Sequence, residues 1–440
     1  MDNERKIIDT LFSGCAIITM DPEKRIIEDG AVAVQEEKIC WVGKTEDLPP
    51  HWQIKRQINA HGKVLIPGLI NTHGHWAMTL FRGYMDDDPL ETWLKKAWKL
   101  EGAVVSPENV KAGSQLAMIE MIRGGTTCAA DMYWQYRTTT EAVIEAGFRM
   151  VNGPSFTEIA GYKGKKSTEY PEALEYLDTY QAQPLIRCAI QMHSTYTTTL
   201  EMMENARQIL EDRGLLFITH ASESKAELEL VKKAYDLTPI QVLDQAGLLG
   251  PRSLLAHCVH LSDEEIARLA ETGSSVAHCP SSNLKLSSGI ARVADMVNAG
   301  VTVSIGTDGP ASNNDLDMFH EAQLAAMLQK GVSGDPTVLP AMRAFEMMTT
   351  SAARAIGMSD SLGAVEVGRL ADLALLDFTA PHLTPCYDYY SHLIYAVQPG
   401  DVTDVMVHGR MLMEDRQLLT LDEEDIKARV RSVADEVRKL

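Results

Sequence analysis

Four short apolar runs that each lead into a possible metal ligand are the sequence feature that most constrains the fold. The runs cover residues 64–70, 215–219, 253–256 and 301–307, and they lead into His73 and His75, His220, His257 and Asp308. Short, continuous apolar runs are typical of buried parallel strands. Polar groups at the carboxyl ends of successive parallel strands are where a (β/α)8 barrel builds its active site. The runs therefore predict an α/β fold with a TIM-like (β/α)8 barrel.

His73 and His75 are separated by one residue at the end of the first of these runs. Alternate residues of an extended strand point the same way, so both imidazoles can reach one metal ion. Taken alone, two histidines with this spacing are more typical of an ordinary arrangement, in which one hydrogen-bonds in the core and the other faces water. The other three run ends favour the metal site, because they supply further nitrogen and carboxylate ligands.

Strand-like runs alternate with helix-like stretches through the middle of the chain, as expected for repeated βα units. One predicted helix covers residues 106–123, where Ser106 offers a cap, Pro107 a first-turn proline and Gly124 a stop. Short β-type runs occupy residues 7–62 and return near the other end of the chain. We expect a barrel domain over residues 68–362, flanked by residues 1–67 and 363–440, the latter including a terminal helix.

Composition narrows the class of protein. A chain of 440 residues with 45% apolar residues can bury a large core. Its formal charge of −20 argues against binding to nucleic acid or to anionic membranes. The seven cysteines show no Cys-x-x-Cys spacing, and their odd number fits a reducing compartment. No apolar stretch near the start is long enough for a signal peptide or membrane span, so we expect a cytoplasmic protein.

Five motifs together resemble those of the amidohydrolase superfamily, in its mononuclear aminohydrolase branch. They are PGLINTHGH at 67–75, HASE at 220–223, AHCVH at 256–260, AHCPSSNLKL at 277–286 and GTDG at 306–309. Within the branch the chain most resembles the methylthioadenosine and S-adenosylhomocysteine deaminases, with s-triazine hydrolases and guanine deaminases as close relatives. The resemblance runs over nearly the whole chain, and it implies that both chain ends jointly form a small composite β-sandwich beside the barrel.

The ligand types and the resemblance together predict a metal centre. His73, His75, His220 and Asp308 offer three imidazoles and a carboxylate, which suit Zn²⁺ and leave a position for water. Ligand type separates metals poorly, so Fe²⁺ or Mn²⁺ also fits. The binuclear members of the family use a bridging lysine at an intermediate strand, and residues 185–193 contain none. We expect one divalent metal ion.

The resemblance also implies the catalytic roles. Asp308 would contact the metal and take a proton from the attacking water, and His257 would hold the attacking oxygen. Glu223 would protonate a ring nitrogen of the substrate. The implied reaction is the hydrolytic deamination of an aminated heteroaromatic ring, such as that of methylthioadenosine or S-adenosylhomocysteine.

Substrate contacts are predicted at three residues. By resemblance, Glu101 is the nearest match to a ribose-binding glutamate and His193 to a substrate-contacting histidine, and the Trp76 ring could stack on a heteroaromatic base. The stretch 150–155, MVNGPS, lacks the arginine that the nucleoside deaminases carry there. A guanine, pterin or s-triazine amino- or chlorohydrolase therefore stays open, as does an inactive structural or binding homologue. Lookalikes are commonly dimers or larger assemblies, so we expect a homo-oligomer.

Overall fold

The computed structural model of the chain describes residues 6–157 and 168–439. Its β-strands are β1 (Ile7–Ile18), β2 (Ile26–Gln35), β3 (Lys38–Lys44), β4 (Gln53–Asn59), β5 (Lys63–Pro67), β6 (Leu69–Asn71), β7 (Thr126–Ala130), β8 (Arg149–Asn152), β9 (Ser155–Phe156), β10 (Ile186–Met192), β11 (Leu216–Ala221), β12 (Ser253–His257), β13 (Ser275–His278), β14 (Thr302–Ile305), β15 (Leu373–Asp377), β16 (Val402–Val407), β17 (Arg410–Glu414) and β18 (Gln417–Leu418).

Helices separate most of the central strands. They are α1 (Leu90–Val104), α2 (Pro107–Arg123), α3 (Tyr136–Ala146), α4 (Tyr170–Tyr180), α5 (Leu200–Arg213), α6 (Lys225–Tyr235), α7 (Pro239–Gln245), α8 (Asp263–Thr272), α9 (Pro280–Lys285), α10 (Val293–Asn298), α11 (Met318–Ser333), α12 (Ala341–Met348), α13 (Thr350–Ala355), α14 (Tyr389–Tyr395) and α15 (Glu423–Val437). Short 3-10 helices cover Thr45–Asp47, Trp76–Phe81, Pro381–Leu383 and Pro399–Asp401. Among the described residues, no helix combines the length and the apolar character needed to cross a membrane.

Eight parallel strands form a barrel in the order β6, β7, β8, β10, β11, β12, β13 and β14. The first and last strands meet at their carboxyl ends. There Thr72 N donates to Ile305 O at 3.0 Å, and Asp308 N donates to His73 O at 3.0 Å. The predicted (β/α)8 barrel is confirmed, and its closing contacts lie directly beside two of the predicted metal ligands.

A second sheet contains strands from both ends of the chain. Its order is β18, β17, β16, β15, β5, β1, β2 and β3, and β4 pairs with β1. Strands β5 and β15 join the two ends through an antiparallel ladder that runs from Lys63 opposite Asp377 to Pro67 opposite Leu373. The predicted composite β structure from the two chain ends is confirmed.

The terminal helix α15 packs on the barrel side of the molecule rather than on this second sheet. Val433 and Val437 lie in one apolar cluster with Phe81 and Trp93. Arg123, at the end of α2, donates to the Glu423 carboxylate at 2.5 Å. The chain end therefore covers the elements that follow the first barrel strand.

A buried ion pair joins barrel strand β8 to the start of β15. Arg149 Nε donates to Asp372 Oδ2 at 2.7 Å, and Arg149 Nη2 donates to Asp372 Oδ1 at 3.0 Å. The Arg149 side chain is 1% exposed and that of Asp372 is 3% exposed. Removing one partner of such a pair leaves an uncompensated buried charge.

We expect Arg149→Met to lower the free energy of unfolding by about 3–5 kcal/mol, because the buried Asp372 carboxylate would lose its cationic partner and keep the His408 amide, at 2.8 Å, as a neutral donor. Urea unfolding followed by circular dichroism measures the change. Arg268→Met is the matched control, since it breaks an exposed pair with Asp244 and exposed pairs contribute little. Equal midpoints for the two variants would show that the buried pair is not a stabilising link.

Candidate active site

The four predicted ligands converge at the carboxyl end of the barrel. His73 and His75 follow β6, His220 lies in β11, and Asp308 follows β14. One ligand atom from each of these residues lies within 4.8 Å of the other three. His75 Nε2 is 3.2 Å from His220 Nε2 and 3.2 Å from Asp308 Oδ1. His73 Nε2 is 3.4 Å from the same carboxylate oxygen.

Hydrogen bonds to surrounding groups aim the ligand atoms inward. His75 Nδ1 lies 2.5 Å from Met132 O, and His220 Nδ1 lies 2.5 Å from His193 O. A carbonyl oxygen only accepts, so each Nδ1 carries a proton and each Nε2 is the ring atom directed at the cluster. Such hydrogen bonds to the second ring nitrogen are typical of metal-binding histidines.

The Asp308 carboxylate is anchored in the same manner. Its Oδ2 accepts hydrogen bonds from Ser282 Oγ at 2.6 Å and from Ser312 Oγ at 2.8 Å. This leaves Oδ1 directed at the histidines. Asp308 has a φ of 60°, in the left-handed region, which costs about 1–3 kcal/mol for a residue other than glycine. The surrounding hydrogen bonds hold it there.

The donor set fits a divalent cation. His73 Nε2 is buried and has no hydrogen-bond partner among the described residues. Burial lowers the pKa of His73 to about 4, so its imidazole is neutral at pH 7. Burial also acts to lower the pKa of His75, but the Asp308 carboxylate outweighs it and raises that pKa to about 9. A metal ion would take the place of the His75 proton. The three histidines and Asp308 thus form a ligand set that can hold a metal ion.

Glu223 and His257 lie beside this metal site. Glu223 sits between β11 and α6, and its Oε1 accepts a hydrogen bond from Ser288 Oγ at 3.3 Å. His257 ends β12; its Nδ1 lies 2.8 Å from Asn283 Oδ1 and its Nε2 lies 3.9 Å from Glu223 Oε2. Burial raises the pKa of Glu223. Glu223 is therefore suited to hold a proton that it can donate.

A cavity opens onto these residues from the carboxyl ends of the barrel strands. It is bordered by the polar side chains of His75, His193, His220, Glu223, His257 and Asp308 and by the rings of Trp93, Trp98, Tyr133, Trp134 and Tyr196. Aromatic walls of this kind suit a planar ring.

Two of the predicted substrate contacts border the same cavity. Glu101 projects from α1, is only 2% exposed, and its Oε2 accepts a hydrogen bond from Trp134 Nε1 at 2.8 Å. His193 follows β10, and its Nδ1 lies 3.1 Å from Thr197 Oγ1. Burial lowers the pKa of His193 to about 3, so the ring is neutral.

Trp76 does not border the cavity, which contradicts the expectation that its ring stacks on a substrate. The ring is fully buried, packs edge to face on Phe148 at 5.8 Å between centroids, and donates from Nε1 to Ala130 O at 3.0 Å. Its backbone N donates to Asp131 Oδ1 at 2.8 Å. These contacts turn the side chain into the core behind His75.

Sequence reasoning alone did not identify several side chains that hydrogen-bond the predicted site residues. Trp134 orients Glu101, and Asn283, Ser282, Ser312 and Ser288 orient His257, Asp308 and Glu223. Asn283 and Ser282 lie inside the motif at 277–286, so the motif itself was a usable signal for both. Trp134 and Ser312 occur in loops without any distinctive spacing, so only the fold reveals them.

A parallel barrel with a His and Asp metal site at the carboxyl ends of its strands defines a metal-dependent hydrolase scaffold. The sequence profile of the Amidohydrolase family matches residues 64–412. The chain belongs to this family, as its motifs predicted.

Individual proteins are similar to this chain over nearly its whole length. The chain is 40% identical to a 5-methylthioadenosine/S-adenosylhomocysteine deaminase from Syntrophobacter fumaroxidans, over 97% of this chain and 98% of that protein. Its fold is similar to that of a zinc-bound adenosine deaminase from Xanthomonas campestris, with a TM-score of 0.95, 35% identity and coverage of 99% of this chain and 100% of that one. A zinc complex of atrazine chlorohydrolase from Arthrobacter aurescens gives a TM-score of 0.89 at 26% identity, over 97% of this chain and 100% of that one.

Proposed function

We propose that the protein is a zinc-dependent deaminase that hydrolyses the exocyclic amine of an adenosine derivative, such as S-adenosylhomocysteine or methylthioadenosine. The observation that carries the proposal is the placement of Glu223 and His257 beside the ligand cluster, at one aromatic-walled cavity. Similarity to deaminases over nearly the whole chain supports the same reaction. Zinc is favoured over Fe²⁺ or Mn²⁺ because the similar adenosine deaminase structure holds zinc.

The reaction adds water to the ring carbon that carries the amine and releases ammonia. Zn²⁺ bound by His73, His75, His220 and Asp308 would lower the pKa of a water molecule to roughly 7. Asp308 takes the proton that the attacking water loses. His257, held through Asn283, directs Nε2 toward the cavity and hydrogen-bonds the attacking oxygen. Glu223 donates its proton to the adjacent ring nitrogen, so the ring accepts the electron pair as the new C–O bond forms. Asp308 then gives the proton it took to the amine, and the C–N bond breaks as ammonia leaves. The new hydroxyl returns a proton to Glu223 as the ring carbonyl forms.

Glu101 and His193 are the proposed substrate contacts beyond the reacting ring. The carboxylate of Glu101 can accept hydrogen bonds from two ribose hydroxyls while Trp134 holds it. We expect Glu101→Gln to raise the KM for adenosine derivatives about tenfold with little change in kcat, because a charged acceptor contributes more than a neutral one. Steady-state kinetics with adenosine and 2′-deoxyadenosine checks this prediction. An equal rise in KM for both substrates would exclude the 2′-hydroxyl as a hydrogen-bond partner of Glu101.

Ammonia release from the zinc-loaded protein tests the proposed function. The panel contains S-adenosylhomocysteine, methylthioadenosine, adenosine, guanine, a pterin, cytosine and an amino-s-triazine. Release from the nucleosides supports the proposal, and release only from a free base or triazine overturns the substrate assignment. Halide release from a chloro-s-triazine would instead indicate the chlorohydrolase alternative, which similarity to atrazine chlorohydrolase keeps open. No turnover from stoichiometrically metal-loaded protein would indicate an inactive homologue.

The cytoplasmic location, the homo-oligomeric state and the boundaries at residues 67/68 and 362/363 stay predictions. A small heteroaromatic amine is the proposed partner, consistent with the cavity. The negative formal charge of −20 argues against nucleic acid as a partner.

A further inference from the structure

The turn that carries Glu223 has an unusual backbone. Ser222 has a φ of 52°, in the left-handed region. Such a conformation costs about 1–3 kcal/mol for a residue other than glycine, and it persists only where neighbouring groups hold it. Beyond the turn, His260 N donates to Ser222 O at 2.9 Å, which fixes one side of it. The position of the Glu223 carboxyl therefore depends on the groups that hold this turn.

Glu227 holds the other side of the turn. Its Oε2 accepts a hydrogen bond from Glu223 N at 2.6 Å. The residue is 4% exposed, borders the same cavity as Glu223, and its Oε1 has no hydrogen-bond partner among the described residues. Burial raises the pKa of Glu227 to about 7, against the opposing effect of the Glu223 amide. A buried carboxyl is costly unless neighbouring groups compensate it, and the amides of Glu223 and Ser222 both act to lower the pKa of this one.

Helix capping alone does not account for this geometry. In an ordinary capping box, the glutamate at the third helical position accepts a hydrogen bond from the amide of the cap residue. Helix α8 follows that pattern: Glu265 Oε2 accepts from the amide of its cap, Ser262, at 2.8 Å. In α6 the cap is Ser224, whose Oγ accepts from Glu227 N at 3.1 Å. The Glu227 carboxylate reaches one residue further back, to the residue that we assign as the proton donor.

We propose that Glu227 is a positioning residue for the deamination, which sets the Glu223 carboxyl in the cavity by accepting the hydrogen bond of its amide. This inference rests on the proposed function. Its effect is transmitted through the backbone, so the hydrogen-bond acceptor matters and the negative charge does not. The Oε1 of a glutamine at this position is a carbonyl oxygen and can replace the carboxylate oxygen as acceptor.

Glu227→Ala and Glu227→Gln test the proposal on the zinc-loaded, full-length protein. We expect Glu227→Ala to lower kcat about 10–100-fold, because misplacing a catalytic group by about 1 Å can cost about 10²-fold, with little change in KM or zinc content. Glu227→Gln should restore most of the wild-type kcat. In a Glu223→Gln background, Glu227→Ala should cost little further, because two residues that act as a unit are not additive.

Glu265→Ala is the control, because it removes a buried glutamate at the same helical position of α8, outside the cavity. It should lower the melting temperature at least as much as Glu227→Ala does, since Glu265 Oε1 also accepts from Thr238 Oγ1 at 2.6 Å, and it should leave kcat unchanged. If Glu227→Ala also leaves kcat unchanged, or if its effect multiplies with that of Glu223→Gln, the positioning role is wrong and the proposed function stands. A wild type that releases no ammonia from the panel overturns the proposed function, and the inference with it.

Discussion

Asp308→Asn is expected to lower kcat/KM for deamination by at least about 10⁴-fold. This is the upper end of what general acid–base catalysis supplies, and the same change also removes the carboxylate from the proposed ligand set. The amide side chain cannot take the proton of the attacking water. The Ser282 and Ser312 hydroxyls both donate to Asp308 Oδ2. In the asparagine, this position holds either the amide oxygen, which still accepts both hydrogen bonds, or the amide NH2 group, which accepts neither. Ammonia release and zinc content, measured on the same preparation, check the prediction.

Asp317→Asn is the control for this substitution. Asp317 caps α11, where its Oδ1 accepts hydrogen bonds from the Phe319 and His320 amides at 2.9 and 3.2 Å. Asparagine is an equally good cap, so this variant should keep its zinc and its activity. Wild-type turnover in the Asp308→Asn variant, with full zinc content, would show that Asp308 neither binds the metal productively nor serves as the base.

The sequence was sufficient where one local pattern determined one local structure. Ser106, Pro107 and Gly124 predicted a helix at 106–123, and α2 covers Pro107–Arg123, with Ser106 Oγ accepting from Asn109 N at 3.2 Å. The apolar runs before His220 and His257 became β11 and β12. Parallel strands in one barrel bring their carboxyl ends together, so strand ends alone were enough to predict that the ligands converge.

The remaining features depend on contacts between residues far apart in the chain. Asn71 Nδ2 donates to Thr307 Oγ1 at 2.7 Å and helps to close the barrel, across most of the sequence. Trp134 lies in a loop and donates a hydrogen bond to Glu101. No residue spacing in the sequence predicts the path of that loop. Trp76 shows the converse: it directly follows His75 in sequence, but the 3-10 helix that begins there turns its ring into the core. Neighbours in sequence at a strand end need not face the same cavity.

Glu223→Gln is expected to lower kcat about 10²–10⁴-fold while the protein keeps its zinc, because Glu223 is the proposed proton donor and lies outside the ligand cluster. Glutamine preserves the size of the side chain and can still accept a hydrogen bond from Ser288, but its amide has no acidic proton to donate to the substrate. Burial raises the pKa of Glu223, so the wild-type carboxyl keeps its proton to higher pH than an exposed one. Wild-type kcat should therefore fall as pH rises through that raised pKa, and the variant should lack this limb of the profile.

Glu229→Gln separates this effect from a general loss of charge near α6, because Glu229 lies exposed on the same helix. Its kcat and pH profile should match those of the wild type. The decisive comparison is between the two variants at equal zinc content. If Glu223→Gln turned over at the wild-type rate with the alkaline limb intact, proton donation would have to come from another acid bordering the cavity, and Glu227 would be the first to test. A loss of zinc in Glu223→Gln would instead place Glu223 among the groups that hold the metal, because only the metal-binding role predicts that outcome.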